Sequence, residues 1–145
     1  MVEIKIHALP GAQIPAYHSL GASGADICAL LDRELTLRPG ETALVPTGIF
    51  IEIPEGYEAQ IRPRSGLAAE HGVTLLNSPG TVDSDYRGEI RLVVVNLGQA
   101  SFTIRRGDRI GQMVVARAAA VTLVEVRELP ATGRNAGGFG HTGRD

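Results

Sequence analysis

Apolar and polar residues alternate in short runs along most of the chain. Val2, Ile4 and Ile6 take turns with Glu3 and Lys5, and Ile49, Ile51 and Ile53 repeat the pattern further on. A period of two places one set of side chains on one face of an extended strand. Further strands are expected over Ser23–Leu31, Tyr57–Arg62, Ile90–Val95, Phe102–Ile104, Ile110–Ala116 and Val121–Val126. Turn residues separate these runs. Arg38-Pro-Gly-Glu has Pro and Gly where a type II turn needs them, and Pro54-Glu-Gly closes the Ile49–Ile53 run. One stretch breaks the rhythm. Leu67-Ala-Ala-Glu-His predicts a short helix, with Ser65 as its N-cap and Gly72 as its stop. Short strands at roughly 8–12-residue spacing predict an all-β sandwich or barrel with at most one short helix. The pattern closes at Pro130. Residues 131–145 are Gly-rich and aperiodic, so residues 1–130 are expected as one β domain and 131–145 as a tail.

Between two of these strands lies the densest polar stretch, Asn77-Ser-Pro-Gly-Thr-Val-Asp-Ser-Asp-Tyr-Arg-Gly-Glu89. It is expected as a polar hairpin mounted on the buried run Ile90–Val95. Asp83 and Asp85, two apart, would share a strand face. A carboxylate there could activate a water. Equally, Asp and Asn serve turns, and Tyr86 could pack across strands.

Composition narrows the class. At 145 residues the chain has the length of one domain, with 14 Lys+Arg against 16 Asp+Glu. That balance gives no basic footprint for nucleic acid. Lys5 is the sole lysine, so a P-loop is excluded; the basic residues are otherwise Arg, whose planar fork suits phosphate, although base composition gives the same bias. Cys28 is alone, which excludes a disulfide framework. The N-terminal residues have no basic region before a long apolar run, so neither a signal peptide nor a membrane span is expected and the cytoplasm is the default location.

Three further stretches carry candidate chemistry. Pro63-Arg-Ser-Gly-Leu-Ala sets Arg64 and a serine at a helix start; it reads as an anion site or as an ordinary capped helix. Arg106-Gly-Asp-Arg-Ile-Gly-Gln112 reads as a solvated turn entering a strand. Gly138-Phe-Gly-His-Thr-Gly143 spells a dinucleotide fingerprint, yet no helix can follow two residues before the last residue. Arg134, Thr142 and glycine N–H groups there could clamp an anion, or the segment could simply fray.

In order and spacing, these stretches resemble the five motifs of the trimeric deoxyuridine triphosphate nucleotidohydrolases, the dUTPases. They are Ser23-Gly-Ala-Asp-Ile, Pro63-Arg-Ser-Gly-Leu-Ala, Asn77–Glu89, Arg106-Gly-Asp-Arg-Ile-Gly-Gln and Arg134-Asn-Ala-Gly-Gly-Phe-Gly-His-Thr-Gly. The resemblance implies a jelly-roll homotrimer whose active sites are shared between subunits and closed by the C-terminal tail. It implies hydrolysis of dUTP to dUMP and pyrophosphate, with Mg2+ on the triphosphate. Carried over by position, Asp83 would activate the water that attacks the α-phosphorus. Asn77, with the backbone at Thr81 and Val82, would bind the uracil edge, and Tyr86 would pack on the deoxyribose. Arg64, Ser65, Gly66 and Gln112 would hold phosphates, and Asp26 would reach the metal through water. Arg134 and Thr142 would grip the terminal phosphates, Phe139 would cover the uracil, and Arg91 would be a further contact. Asp85, Arg87 and Glu89 are left to hairpin structure. Two positions depart from the family pattern: Ala25 replaces a bulkier residue, and His141 stands where serine is common. A dCTP deaminase-like enzyme or a non-catalytic nucleotide-binding module on the same fold are the rival readings; Asp83 in Gly-Thr-Val-Asp-Ser-Asp-Tyr favours hydrolysis.

Overall fold

The computed structural model describes residues 2–138 and His141. Its elements in chain order are β1 (Lys5–Ala8), β2 (Ala25–Cys28), β3 (Leu35–Leu37), β4 (Thr42–Glu52), β5 (Tyr57–Arg62), α1 (Ser65–His71), β6 (Val73–Leu75), β7 (Gly80–Val82), β8 (Ile90–Asn96), β9 (Phe102–Ile104) and β10 (Arg109–Arg117). Two four-stranded antiparallel sheets, β1-β4-β8-β6 and β2-β10-β5-β7, face each other, and β3 pairs with β9. This is the all-β sandwich that the alternation predicts and the jelly roll that the resemblance implies. No helix among the described residues is long and apolar enough to cross a membrane.

The inward faces make one core. Ile27, Val45, Ile49, Leu92, Val94 and Ile104 from both sheets and the β3–β9 pair are at most 1 % exposed. Burying each such side chain stabilises the fold by about 1.5–3 kcal/mol. The sheets meet closely at Gly111, where an added Cβ would collide with Leu92 Cδ2. Two polar side chains are fully buried and fully bonded. Asn96 donates to the carbonyls of Leu37 (2.9 Å) and Ala100 (2.8 Å) and accepts from the Gly98 N–H (2.9 Å). Thr47 Oγ1 donates to the Ile90 carbonyl (2.6 Å) and accepts from the Ile49 N–H (3.2 Å).

Several expectations are corrected. Ser65 is the first residue of α1, not its cap: Arg64 occupies that place in extended conformation, and no side chain caps the helix. The helix therefore begins one residue earlier than the Ser-based rule expects, within the one or two residues by which helix ends ordinarily vary. Gly72 does end α1, at φ +68°. The Asn77–Glu89 stretch is not a paired hairpin. β7 bonds to β5 in one sheet, while β8 bonds to β4 and β6 in the other. The segment carries the chain across the sandwich. Val121–Val126 forms no strand either; it lies exposed, with Leu123 at 92 %. Alternation alone does not make a strand, because the backbone needs a partner edge. Just before this run the Ala118 N–H still bonds to the Gly56 carbonyl of the sandwich, 2.9 Å.

Candidate active site

The crossing segment builds a cavity of about 280 Å³ between the sheets' edges. Asn77, Thr81, Val82, Tyr86 and Arg91 all line it, against apolar walls from Leu44, Ile61, Leu75 and Leu92. Five predicted residues thus converge on one slot. The slot is held by local bonds. The Tyr86 hydroxyl donates to the Glu89 carbonyl at 3.0 Å, and the Tyr86 N–H to the Asp83 carbonyl at 3.2 Å. Gly88 lies against the phenol, where any Cβ would strike its oxygen. Arg87 Nη1 ties the turn through the carbonyls of Ser84 (2.6 Å) and Tyr86 (2.9 Å). Glu89 fastens the segment to the β4 irregularity at Pro46–Ile49. Its Oε1 accepts from the N–H groups of Thr47 (3.2 Å) and Gly48 (2.8 Å), and its Oε2 holds Arg91 Nε at 3.4 Å.

Asp83 and Asp85 do not share a strand face, because β7 stops at Val82 and Asp85 sits in the following turn. Asp83 is exposed and lines a separate recess with Tyr57, Glu58 and Ala118–Ala120.

A second cluster lies on β2, β10 and the start of α1. Asp26 is at its centre, 14 % exposed at the side chain. Its Oδ1 accepts from Arg64 Nε (3.2 Å) and its Oδ2 from Arg109 Nη1 (3.1 Å), with His18 Nε2 at 3.5 Å. Gln112 pairs opposite Asp26, and its side-chain amide donates to the Pro63 carbonyl at 2.9 Å. Gly24 lies beside it, where a Cβ would push Gln112 Oε1 aside. Ser65 and Gly66 open α1 next to this cluster. Arg109 and His18 were not singled out from sequence; their approach to Asp26 depends on register and loop path. Burial, and secondarily the Asp26 carboxylate, push the neighbouring Cys28 thiol above its ordinary range, which keeps it protonated and inert.

The two clusters do not merge into one cleft in the single chain. In the tail, Arg134 is exposed and its Nε donates to the Gly137 carbonyl at 2.7 Å. Thr132 and Asn135 bond each other's backbone N–H groups at 2.8 and 3.0 Å. Phe139 and Thr142 lie outside the described residues. No group of three His, Cys, Asp or Glu among the described residues could cage a metal. A single carboxylate, Asp26, fits a Mg2+ that is carried mainly by phosphates and water.

Fold and slot together define a β-sandwich protein with a small polar pocket at the crossing between its sheets and a carboxylate–arginine cluster on its outer face. Comparison with known proteins gives the family. The sequence model of the dUTPase family matches residues 11–143. The deoxyuridine 5'-triphosphate nucleotidohydrolase of Neorickettsia sennetsu is 59 % identical over 133 residues, covering 92 % of this chain and 89 % of that protein. The Staphylococcus bacteriophage 80alpha dUTPase with dUPNHPP superposes with a TM-score of 0.88 at 22 % identity, over 97 % of this chain and 98 % of the other. A dUTPase from phage phi11 of S. aureus, described with a structural Mg(II) ion, has a TM-score of 0.78 at 20 % identity, over 87 % and 97 %. The chain belongs to the dUTPase family.

Proposed function

We propose that the protein hydrolyses dUTP to dUMP and pyrophosphate, by attack of an Asp83-activated water on the α-phosphorus. The observation that carries this is the cavity in which Asn77, Thr81, Val82, Tyr86 and Arg91 converge, in a chain of this family. Its size and mixed walls suit a pyrimidine and a sugar. Asn77 and the backbone at Thr81 and Val82 offer donors and acceptors to the uracil edge. The bond from Tyr86 to Glu89 fixes the phenol, so its ring meets the deoxyribose as a rigid wall that excludes a 2′-hydroxyl. The narrow slot rejects a 5-methyl group, and Arg91, braced by Glu89, is a further contact.

Arg64, Ser65, Gly66 and Gln112 hold the phosphates, with charge, a hydroxyl and the unsatisfied N–H groups at the start of α1. Mg2+ would sit on the phosphates with Asp26 in its outer water shell, and when bound it neutralises oxygen charge along the triphosphate. Asp83 orients the attacking water and takes its proton. No covalent nucleophile is needed, because positioning and electrostatics supply most of the rate in phosphoryl chemistry.

Slot and phosphate cluster sit apart in one chain, and Asp83 opens on another recess, which supports a homotrimer whose sites draw on neighbouring subunits. The tail, residues 131–145, closes over the bound nucleotide. Arg134 and Thr142 grip the terminal phosphates, Phe139 covers the uracil, and bulk water is expelled. A cytoplasmic location suits an enzyme of the free nucleotide pool. The test is a substrate panel with Mg2+. Pyrophosphate release from dUTP is expected, with much less from dTTP, dCTP or UTP. An intact oligomer that releases none overturns the proposal, and ammonia from dCTP would mark a deaminase instead.

A further inference from the structure

Strict alternation along β10 would put Gln112 and Ile110 on one face and turn Arg109 to the other. The observed pairing with β2 differs. Gln112 lies opposite Asp26, Gly111 opposite Ile27 and Arg109 opposite Cys28, with a register shift between Arg109 and Gly111. The extra residue, Ile110, goes into the core at 3 % exposure. Arg109 therefore takes the outward place that Ile110 would have held, beside Asp26. β-Bulges re-aim side chains in this way.

Arg109 then touches both members of the cluster. Its Nη1 donates to Asp26 Oδ2 at 3.1 Å, and its carbonyl accepts from Arg64 Nη1 at 3.2 Å. Arg64 Nε holds the other oxygen, Oδ1, at 3.2 Å. A largely buried carboxylate facing one cation holds it tightly, because few other groups screen the pair. Asp26 instead divides its charge between two guanidinium groups, with His18 Nε2 beyond at 3.5 Å.

We infer that Arg109 is a positioning residue: it keeps Asp26 paired, so that Arg64 can turn N–H donors towards a triphosphate without leaving a buried carboxylate unpartnered. This rests on the proposed role of Arg64 and Asp26 at the phosphates. Arg109 acts through Asp26 and Arg64, not on the base or sugar.

Calorimetric titration with dUMP and with the non-hydrolysable α,β-imido-dUTP, each with and without Mg2+, tests it. Arg109→Gln should weaken the triphosphate analogue about tenfold, the loss of roughly one charge-assisted contact, in either condition. Binding of dUMP should stay within about twofold, the range of surface changes away from a contact. Arg109→Lys should fall between, and carries the same comparison if Arg109→Gln does not fold. In an Asp26→Asn background the further loss from Arg109→Gln should shrink to about twofold or less, as coupled positions require. Equal weakening of both ligands would make Arg109 merely structural and overturn the inference. An undiminished loss in the Asp26→Asn background would mean direct phosphate contact and overturn it too, as would no loss at all. If the unaltered protein fails to bind the analogue, the reading of the cluster falls, and the role of Arg109 falls with it.

Discussion

Glu89 has no ligand in the proposed reaction, yet it is the best-connected side chain of the crossing segment. It takes two N–H groups from the β4 irregularity and braces Arg91, at 18 % exposure. Glu89→Ala would leave those donors poorly satisfied. A loss of about 2 kcal/mol of stability is expected, within the usual cost of orphaned buried donors, read as a lower thermal midpoint. dUTP turnover should fall with it, because the lost carboxylate anchors the segment that holds Tyr86 and braces Arg91 in the slot. Asp83 behaves oppositely. It is exposed and has no structural partner among the side-chain hydrogen bonds of the described residues. Asp83→Asn should keep the thermal midpoint and substrate binding while turnover drops by roughly 10²–10⁴, the general-base range. Equal loss of binding and turnover would make Asp83 a binding residue.

Among the described residues, the tail is built as turns rather than as strand. The Thr132–Asn135 exchange and the bond from Arg134 to Gly137 make a compact local unit, with Asn135 at φ +43°, a backbone that Asn tolerates. A unit already shaped loses less entropy on closure. Deleting residues 131–145 should leave the β fold and its oligomer intact by circular dichroism and sedimentation, while dUTP turnover slows strongly; unfolding would show the tail to be part of the core. β4, β5, β8 and the α1 stop at Gly72 were legible because period-two burial and turn residues are local properties. β3, β6 and β7, three residues each, were too short for a period to register. The Val121–Val126 run was misread because its apolar alternation says nothing of a partner edge. Asn77, Thr81, Val82 and Tyr86 were legible as one group because they are close in sequence. Arg109 was hidden for the converse reason: a one-residue bulge changes which face a side chain takes, and no local pattern announces it.

In the proposed homotrimer the parts of the site come together, and mixing experiments test this. Asp83→Asn and Arg64→Gln chains should each be nearly inactive alone. Unfolded together and refolded as a mixture, they should regain about a quarter of wild-type activity, the statistical share when a site takes Asp83 from one subunit and Arg64 from another in a closed oligomer. No recovery would mean that both residues serve a site from the same chain. The exposed apolar residues Val121, Leu123, Val124 and Leu129 also gain a context in an oligomer, since a lone chain leaves them in water.

The pairing of β2 with β10 has a temporal consequence. Asp26 and Gln112 stand opposite each other although most of the chain separates them. A ribosome delivers β2 early and β10 near the end, and closing so long a loop must precede any contact that rewards it. During synthesis the nascent chain can already zip β4, β6 and β8 together while β2 waits with an empty edge. The phosphate cluster is thus among the last parts of the molecule to come into existence. A refolding time course should show sheet signal ahead of any affinity for triphosphate.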